Sequence, residues 1–278
     1  LNYRHAYHAG NFADVMKHSA LALVIEHMKQ KDKPFFLLDT HAGTGLTDLT
    51  GEEAQKTGEF RDGIARIMTE PAPHPALAPY LAALTRLGCI GAEPMSYPGS
   101  PLIARELARE GDRLAFCELH PEDAASLKSL FRHDPQTSVH EMNGYTALKA
   151  MLPPKERRGL VLIDPPFEAR DEFDALLEGL EDATARWATG TYIIWYPVKD
   201  PSVSGTFLDA LERGGPAKTL MAEIYIRAVD PARMSGCGLV IVNPPWTLKE
   251  TLTDLYGWLA ERLEQGAGAR ARVEWLKP

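Results

Sequence analysis

The chain has 278 residues, 45% of them hydrophobic and 24% charged, which is enough to bury a large core in one α/β domain with an insertion, or in two smaller domains. A formal net charge of -8 excludes a protein that coats polyanions generically, so a nucleic-acid partner needs a local basic surface on an acidic body. Cys89, Cys117 and Cys237 lie far apart with no C-x-x-C pair, which gives neither a disulfide framework nor a zinc signature and makes the cytoplasm the expected setting.

The numbering opens at Leu1, so an initiator Met is expected to be missing, and no signal-peptide pattern opens the chain. The longest apolar run, "ALALVI", is too short to span a bilayer. In "YRHAYHAGN", the rings of Tyr3, His5 and Tyr7 interleave with Arg4, a mixture that stacks bases and pairs phosphates. A disordered terminus is the alternative, and the segment is expected to close over a ligand. His5 and His8 have a spacing seen at metal sites, but no third ligand clusters with them, so no metal is expected.

"GNFADVMKHSALALVIEHMKQKDKP" reads as a helix capped by Asn11, with Phe12, Val15, Met16, Ala20, Leu23, Val24 and Met28 on one face. "FFLLDTHAGTG" is a buried strand running into a glycine turn. From Gly51 to Pro98 the text changes to helical patches with prolines and no convincing strand, which is read as a helical insertion at 51–98 within a single domain of 1–278. "GSPLIARELAREGD" resumes the main fold as a helix, with Ser100 placed to cap, Pro101 at the first position and Gly111 at the end. Six β-rich runs follow: "RLAFCELH", "TSVHEMNG", "GLVLIDPP", "GTYIIWYP", "TLMAEIYIRAV" and "CGLVIVNPP". Helical segments separate the earlier ones.

That alternation predicts a parallel sheet covered on both faces. Only "VDPARMSGCG" separates the last two runs, too little for a helical crossover, so they are expected to form an antiparallel hairpin. Six parallel strands with one reversed final strand is the seven-stranded layout of a class I methyltransferase, a Rossmann-like α/β fold.

Two segments, "LVLIDPPF" and "LVIVNPPW", share a strand, then Asx-Pro-Pro, then an aromatic ring, a pattern that can hold a flat amino-bearing base. Ligands of an open parallel sheet bind at the carboxyl ends of its strands. Asp164, Pro165, Pro166 and Phe167 follow a central parallel strand and therefore face that crevice. Asn243, Pro244, Pro245 and Trp246 follow the reversed strand and are expected at the opposite edge, with Trp246 packed under the sheet. The same rule places Gly43 and Gly45 after the first strand, Glu118 after the second and Asn143-Gly144 after the third. Glycines permit a tight turn and close approach, an acid accepts a ribose diol, and Asn-Gly suits an adenine edge. G-x-G alone also fits a phosphate-binding turn. Together and in order, these residues specify a nucleoside cofactor. NAD fits poorly, because the third glycine of G-x-G-x-x-G is absent.

Taken together, "YRHAYHAGNFADVMKH", "LDTHAGTG", "YPGSPLIAR", "ELHP", "LIDPPF", "TGTYIIWYP" and "VIVNPPW" resemble the RlmJ (YhiR) family from Tyr3 to the tryptophan near the end of the chain. The resemblance implies an S-adenosylmethionine-dependent enzyme, releasing S-adenosylhomocysteine, that methylates the exocyclic nitrogen of one adenine in 23S ribosomal RNA. It implies cofactor contacts at His18, His41, Ser100, Glu118, Asn143, Gly144 and Asp164, beside the Gly43 turn already read as cofactor-binding from the residues, with Asp164 as catalytic acceptor. It places the RNA against Tyr3, with His5 and Lys17 nearby, and the residues themselves add Arg4 for phosphates, the Pro165 carbonyl for the amine and Phe167 for stacking on the base. Where the family commonly has Asp-Gly, this chain has Asn143-Gly144, whose carbonyl oxygen is expected to accept from the adenine amino group. Phe167 stands where Tyr is common. Arg227 and Arg233 flank the last hairpin loop and are candidates for RNA contact, with a solvated basic loop as the alternative. Rival readings are methylation of DNA adenine or of a protein glutamine amide, and a non-catalytic RNA-binding assembly factor on the same scaffold.

Overall fold

The computed structural model describes residues 5–169, 171–230 and 232–278. It opens with α1 (Phe12–Lys29), whose cap is the expected one: the Asn11 side chain accepts from the amides of Ala13 and Asp14 at 2.9 and 3.1 Å. The helix is buried on nearly every side, and its buried set includes Asp14, Lys17 and His18 as well as the apolar face. Buried polar groups need partners, and these three find them at the site described below.

β1 (Phe36–Asp39) enters the centre of the sheet, and β2 (Leu46–Asp48) follows the glycine turn. Three short helices come next: α2 (Glu52–Thr57), α3 (Ile64–Met68) and α4 (Ala78–Arg86). The span from 51 to 98 is not strand-free, however. It ends in β3 (Ser96–Pro98), which pairs antiparallel with β2 and closes a small ribbon, while the Gly99 amide donates to the Gly45 carbonyl at 2.9 Å. A three-residue strand bracketed by prolines carries too little pattern to read.

The remaining elements are α5 (Ser100–Leu107), β4 (Arg113–Glu118), α6 (Pro121–Phe131), β5 (Thr137–Glu141), α7 (Gly144–Met151), β6 (Gly159–Ile163), α8 (Glu172–Arg186), β7 (Thr191–Val198), α9 (Pro201–Gly214), β8 (Thr219–Tyr225), β9 (Gly236–Val242), α10 (Leu248–Arg262) and β10 (Arg270–Lys277). α5 corrects two expectations. Gly99, not Ser100, is its N-cap, and it stops at Leu107, well before Gly111. The Ser100 hydroxyl is drawn off to the Asp39 carboxylate at 2.6 Å.

The main sheet has the order β10-β8-β9-β7-β6-β1-β4-β5. β1, β4, β5, β6 and β7 are parallel. β9 runs antiparallel to both β7 and β8 and is wedged between them. This is the class I methyltransferase arrangement, with the expected hairpin. It differs in one respect: β10 adds an eighth strand, antiparallel to β8. Its outward Arg270, Arg272 and Glu274 are the charged residues expected of an edge strand, and they disguise it as a tail.

β1, β6, β8 and β9 are buried along their whole length. Helices cover both faces, as a parallel sheet requires. One apolar cluster joins α1, α4, α5 and α10 to the sheet, and the other joins α7, α8 and α9. Among the described residues, no helix is long and apolar enough to cross a membrane.

Candidate active site

Asp164 follows β6, in the middle of the sheet, and its loop lines a cavity of ≈ 230 Å³ at the carboxyl ends of the parallel strands. His5, Lys17, His18, His41, Gly43, Ser100, Glu118, Asn143, Gly144, Asp164 and Pro165 all reach this one cavity. Of the expected site residues, Tyr3 and Arg4 lie outside the described residues. Phe167 is not in the lining. Its backbone is left-handed, with φ 49°, and its ring packs on Phe173 and Trp195 at centroid distances of 5.0 and 5.7 Å. For a non-glycine residue that conformation costs about 1–3 kcal/mol, and it concentrates at sites where backbone must be aimed.

The second Asx-Pro-Pro segment lies at the other end of the sheet, as the reversed strand requires. The Asn243 amide donates to the carbonyls of Ala188 and Gly190 at 2.9 and 2.8 Å and ties two turns together. Trp246 does not pack under the sheet. It is 82% exposed, because the turn after Pro245 carries it off the end of β9 into solvent.

The acidic half of the cavity rests on α1. Lys17 Nζ bonds both to Asp164 Oδ2 and, at 3.0 Å, to Asp14 Oδ1. Asp14 Oδ2 accepts from the Gly10 amide at 2.9 Å and meets His5 Nε2 at 3.0 Å. Burial opposes the charge of Lys17, but the two carboxylates outweigh it and raise its pKa. Burial likewise opposes the charge of Asp14, and Lys17, with the hydrogen bond from His5, holds its carboxyl well below the usual range. One turn of helix places Asp14, Lys17 and His18 together, since positions three and four apart share a face.

The other half is built from strand ends. Glu118 accepts the Gly43 amide on one oxygen and the His120 amide on the other, both at 2.8 Å, which fixes the plane of its carboxylate. Gly43 has φ 60°, and a Cβ there would touch nothing within 4 Å, so its backbone is open to a ligand. A Cβ on Gly144 would lie 2.5 Å from the Thr40 carbonyl, so that glycine serves the packing of α7 against the end of β1. Asn143 departs from expectation: its Oδ1 caps α7 by accepting the amides of Tyr145 and Thr146 at 2.9 and 3.2 Å. Both lone pairs are then engaged, which leaves the side-chain NH2 as its free polar group.

Burial pushes the His18 imidazole down to about 3, so it is neutral. Its Nδ1 bonds to the Tyr97 hydroxyl at 2.6 Å, whereas its Nε2 has no hydrogen-bond partner among the described residues. A buried orphan nitrogen on a cavity wall is a ready partner for a polar ligand. Burial also lowers His41, to about 4, against the pull of Asp164. The Thr40 hydroxyl donates to the Leu162 carbonyl at 3.1 Å and so accepts a hydrogen bond from His41 Nδ1–H at 2.8 Å, leaving His41 Nε2 as an acceptor.

Asp39 escaped the sequence reading. It ends β1, 1% exposed, and burial pushes its carboxyl up to about 6 although Ser100 and the His41 amide bond to it. The signal available was an acid closing an all-apolar strand immediately before the glycine turn. Asp14 escaped too, and its spacing of three from Lys17 was the signal. The N-terminal motif is held from outside by the 51–98 span, where Glu59 meets His8 at 3.0 Å and accepts from the Asn11 amide at 2.9 Å. His5 and His8 therefore bond to different acids. On the far loop, Arg233 pairs with Asp230 at 2.8 Å and Arg227 donates to Gln265 at 2.5 Å.

Residues 32–277 match the family described as "Ribosomal RNA large subunit methyltransferase D, RlmJ". Two relatives, from Haemophilus influenzae and Escherichia coli, are each 42% identical over 279 residues, covering 100% of this chain and 99% of their own length. Both are named "Ribosomal RNA large subunit methyltransferase J". A crystal structure of a Legionella pneumophila protein is 32% identical, covers 96% of this chain and 98% of its own, and superposes with a TM-score of 0.88. The chain belongs to this methyltransferase family.

Proposed function

We propose, with that membership as premise, that this chain transfers a methyl group from S-adenosylmethionine to N6 of a specific adenine in 23S ribosomal RNA, with Asp164 as the acceptor of the amino proton. The observation that carries the reading is the convergence of two unlike sets of groups on one cavity. Glu118, His18, His41 and the open backbone at Gly43 suit a nucleoside donor, and Asp164 with the Pro165 carbonyl suits an amine.

When bound, S-adenosylmethionine supplies an electrophilic methyl group on a sulfonium. Glu118 is assigned the ribose hydroxyls, since each of its oxygens keeps a lone pair beyond its backbone bond. His18 Nε2 and His41 Nε2 are assigned polar groups of the donor, and the Asn143 amide NH2 is assigned an acceptor nitrogen of its adenine. The target nitrogen is a poor nucleophile because its lone pair is delocalised into the base. Two acceptors, an Asp164 oxygen and the Pro165 carbonyl, take its two hydrogens and favour a pyramidal nitrogen with its lone pair directed at the methyl. Lys17 engages Oδ2 of Asp164, so Oδ1 is the oxygen assigned to the amine. Consecutive prolines restrict φ and keep the carbonyl aimed. As nitrogen bonds to the methyl its remaining protons become acidic, and one passes to Asp164, so an ordinary carboxylate suffices. Phe167, braced by Phe173 and Trp195, is assigned to stack on the flipped base, worth about 1–3 kcal/mol.

The test compares methyl transfer to 23S ribosomal RNA, duplex DNA and protein, alongside mass spectrometry of ribosomal RNA from cells lacking the chain. Transfer to RNA and the loss of one methyladenine are expected. Preferred transfer to DNA or protein, or an unchanged methyladenine content, defeats the proposal.

A further inference from the structure

Asp14 is not itself one of the residues that line the cavity, but it bonds to two that do, His5 and Lys17, and it is 1% exposed and ionised. Its oxygens are divided between two tasks. Oδ2 takes the Gly10 amide and His5, which any acceptor of similar shape could do, while Oδ1 takes Lys17. The second task needs a charge.

The groups that interact electrostatically with Asp164 include Lys17, His41 and Asp39, while Glu118 and His5, the latter bonded to Asp14 Oδ2, share the cavity wall. Lys17 is in contact with it and is itself 5% exposed. His18, whose Nε2 lies 3.8 Å from Asp14 Oδ1, and His41 are both neutral. Asp39 is hydrogen-bonded to Ser100 and to the His41 amide. Without Asp14, the Lys17 cation would cancel the Asp164 carboxylate beside the nitrogen that turns positive as it accepts the methyl. With Asp14 behind it, the trio of Asp14, Lys17 and Asp164 carries one net negative charge, and Lys17 can orient Asp164 without discharging it. In a buried setting such a difference is only weakly screened.

We propose that Asp14 is a positioning residue for methyl transfer, the counter-charge that occupies Lys17 so that Asp164 stays electrically available to the cationic centre of the reaction. The inference rests on the functional reading above. It deepens that reading by separating the residue that receives the proton from the one that sets the charge of the site.

The test is the binding preference for S-adenosylmethionine, which carries a sulfonium, over S-adenosylhomocysteine, which is neutral at the same atom. Calorimetric titration of Asp14→Asn is expected to leave S-adenosylhomocysteine within about threefold of the parent protein and to weaken S-adenosylmethionine about tenfold. Single-turnover methylation is expected to slow by roughly 10- to 100-fold. Asp14→Ser, which also keeps an acceptor for Gly10, gives the same readout should the Asn variant fail to fold. Equal weakening of both ligands marks a merely structural residue and overturns the proposal, as does an unchanged preference in either variant. A parent protein that binds neither ligand, or that does not methylate ribosomal RNA, defeats the functional reading instead.

Discussion

Replacing Asp164 by Ala separates chemistry from cofactor binding, and its effect can be sized from the contacts. On the proposed mechanism, Asp164 would contribute one charge-assisted hydrogen bond to the amine and one unit of negative charge beside it. The bond is worth about 1.5–3 kcal/mol. A neutral pair of Lys17 and Asp14 in place of a net-negative trio adds a further term of about 2 kcal/mol at an effective dielectric near 20. Together they predict single-turnover methylation slower by roughly three orders of magnitude. Breaking a buried pair ordinarily costs about 3–5 kcal/mol of stability, but Lys17 keeps Asp14 at 3.0 Å, so the fold should lose less than that. Glu118 and His18 make their contacts independently of Asp164, so S-adenosylmethionine should still bind. The assay is transfer of labelled methyl to saturating 23S ribosomal RNA, with calorimetry of the donor as the control for folding. A variant that binds donor and methylates within tenfold of the parent refutes the assignment.

Asn243→Ala is the complementary experiment on the second motif. It removes two hydrogen bonds and places Ala at φ 51°, so a loss of about 2–3 kcal/mol in denaturant unfolding is expected, with the rate per folded molecule unchanged. Glu118→Gln turns an amide NH2 toward either the Gly43 or the His120 amide; donor affinity in calorimetry should fall about 10- to 100-fold, with a smaller effect on the single-turnover rate at saturation. His18 is neutral when folded, with a pKa near 3, and titrates near 6.5 when unfolded, so the unfolded chain takes up its proton first as pH falls below 6.5. Between pH 7 and 5 the parent should therefore lose about 2 kcal/mol more stability than His18→Gln, measured by urea unfolding at both pH values. Parallel pH slopes for the two proteins would contradict a buried neutral His18.

Much of this molecule was legible in its residues because the signals are local. The apolar runs of β1 up to Asp39, of β6 and of β9 need no partner to be recognised as strands covered on both faces, and ten residues between β8 and β9 leave no room for a crossover helix. Chain direction then decides which Asx-Pro-Pro segment meets the cavity, since a reversed strand delivers its end to the opposite edge. The sequence by itself thus determined the class of fold and the position of Asp164 at the cavity, but neither the ribbon of β2 and β3 nor the edge strand β10.

Only the tertiary structure decided how side chains with several options spend their hydrogen bonds. Ser100 could cap a helix or bind Asp39, and the approach of β1 settles it for Asp39. The Asn143 oxygen could face a ligand or cap α7, and the backbone takes it. Lys17 could extend into solvent, but burial beside Asp14 and Asp164 fixes it in an ion cluster whose members lie up to 150 positions apart in the chain. The reason is physical: strand and helix patterns follow from the covalent periodicity of the chain, whereas the partner of a polar group depends on which distant group happens to be desolvated next to it.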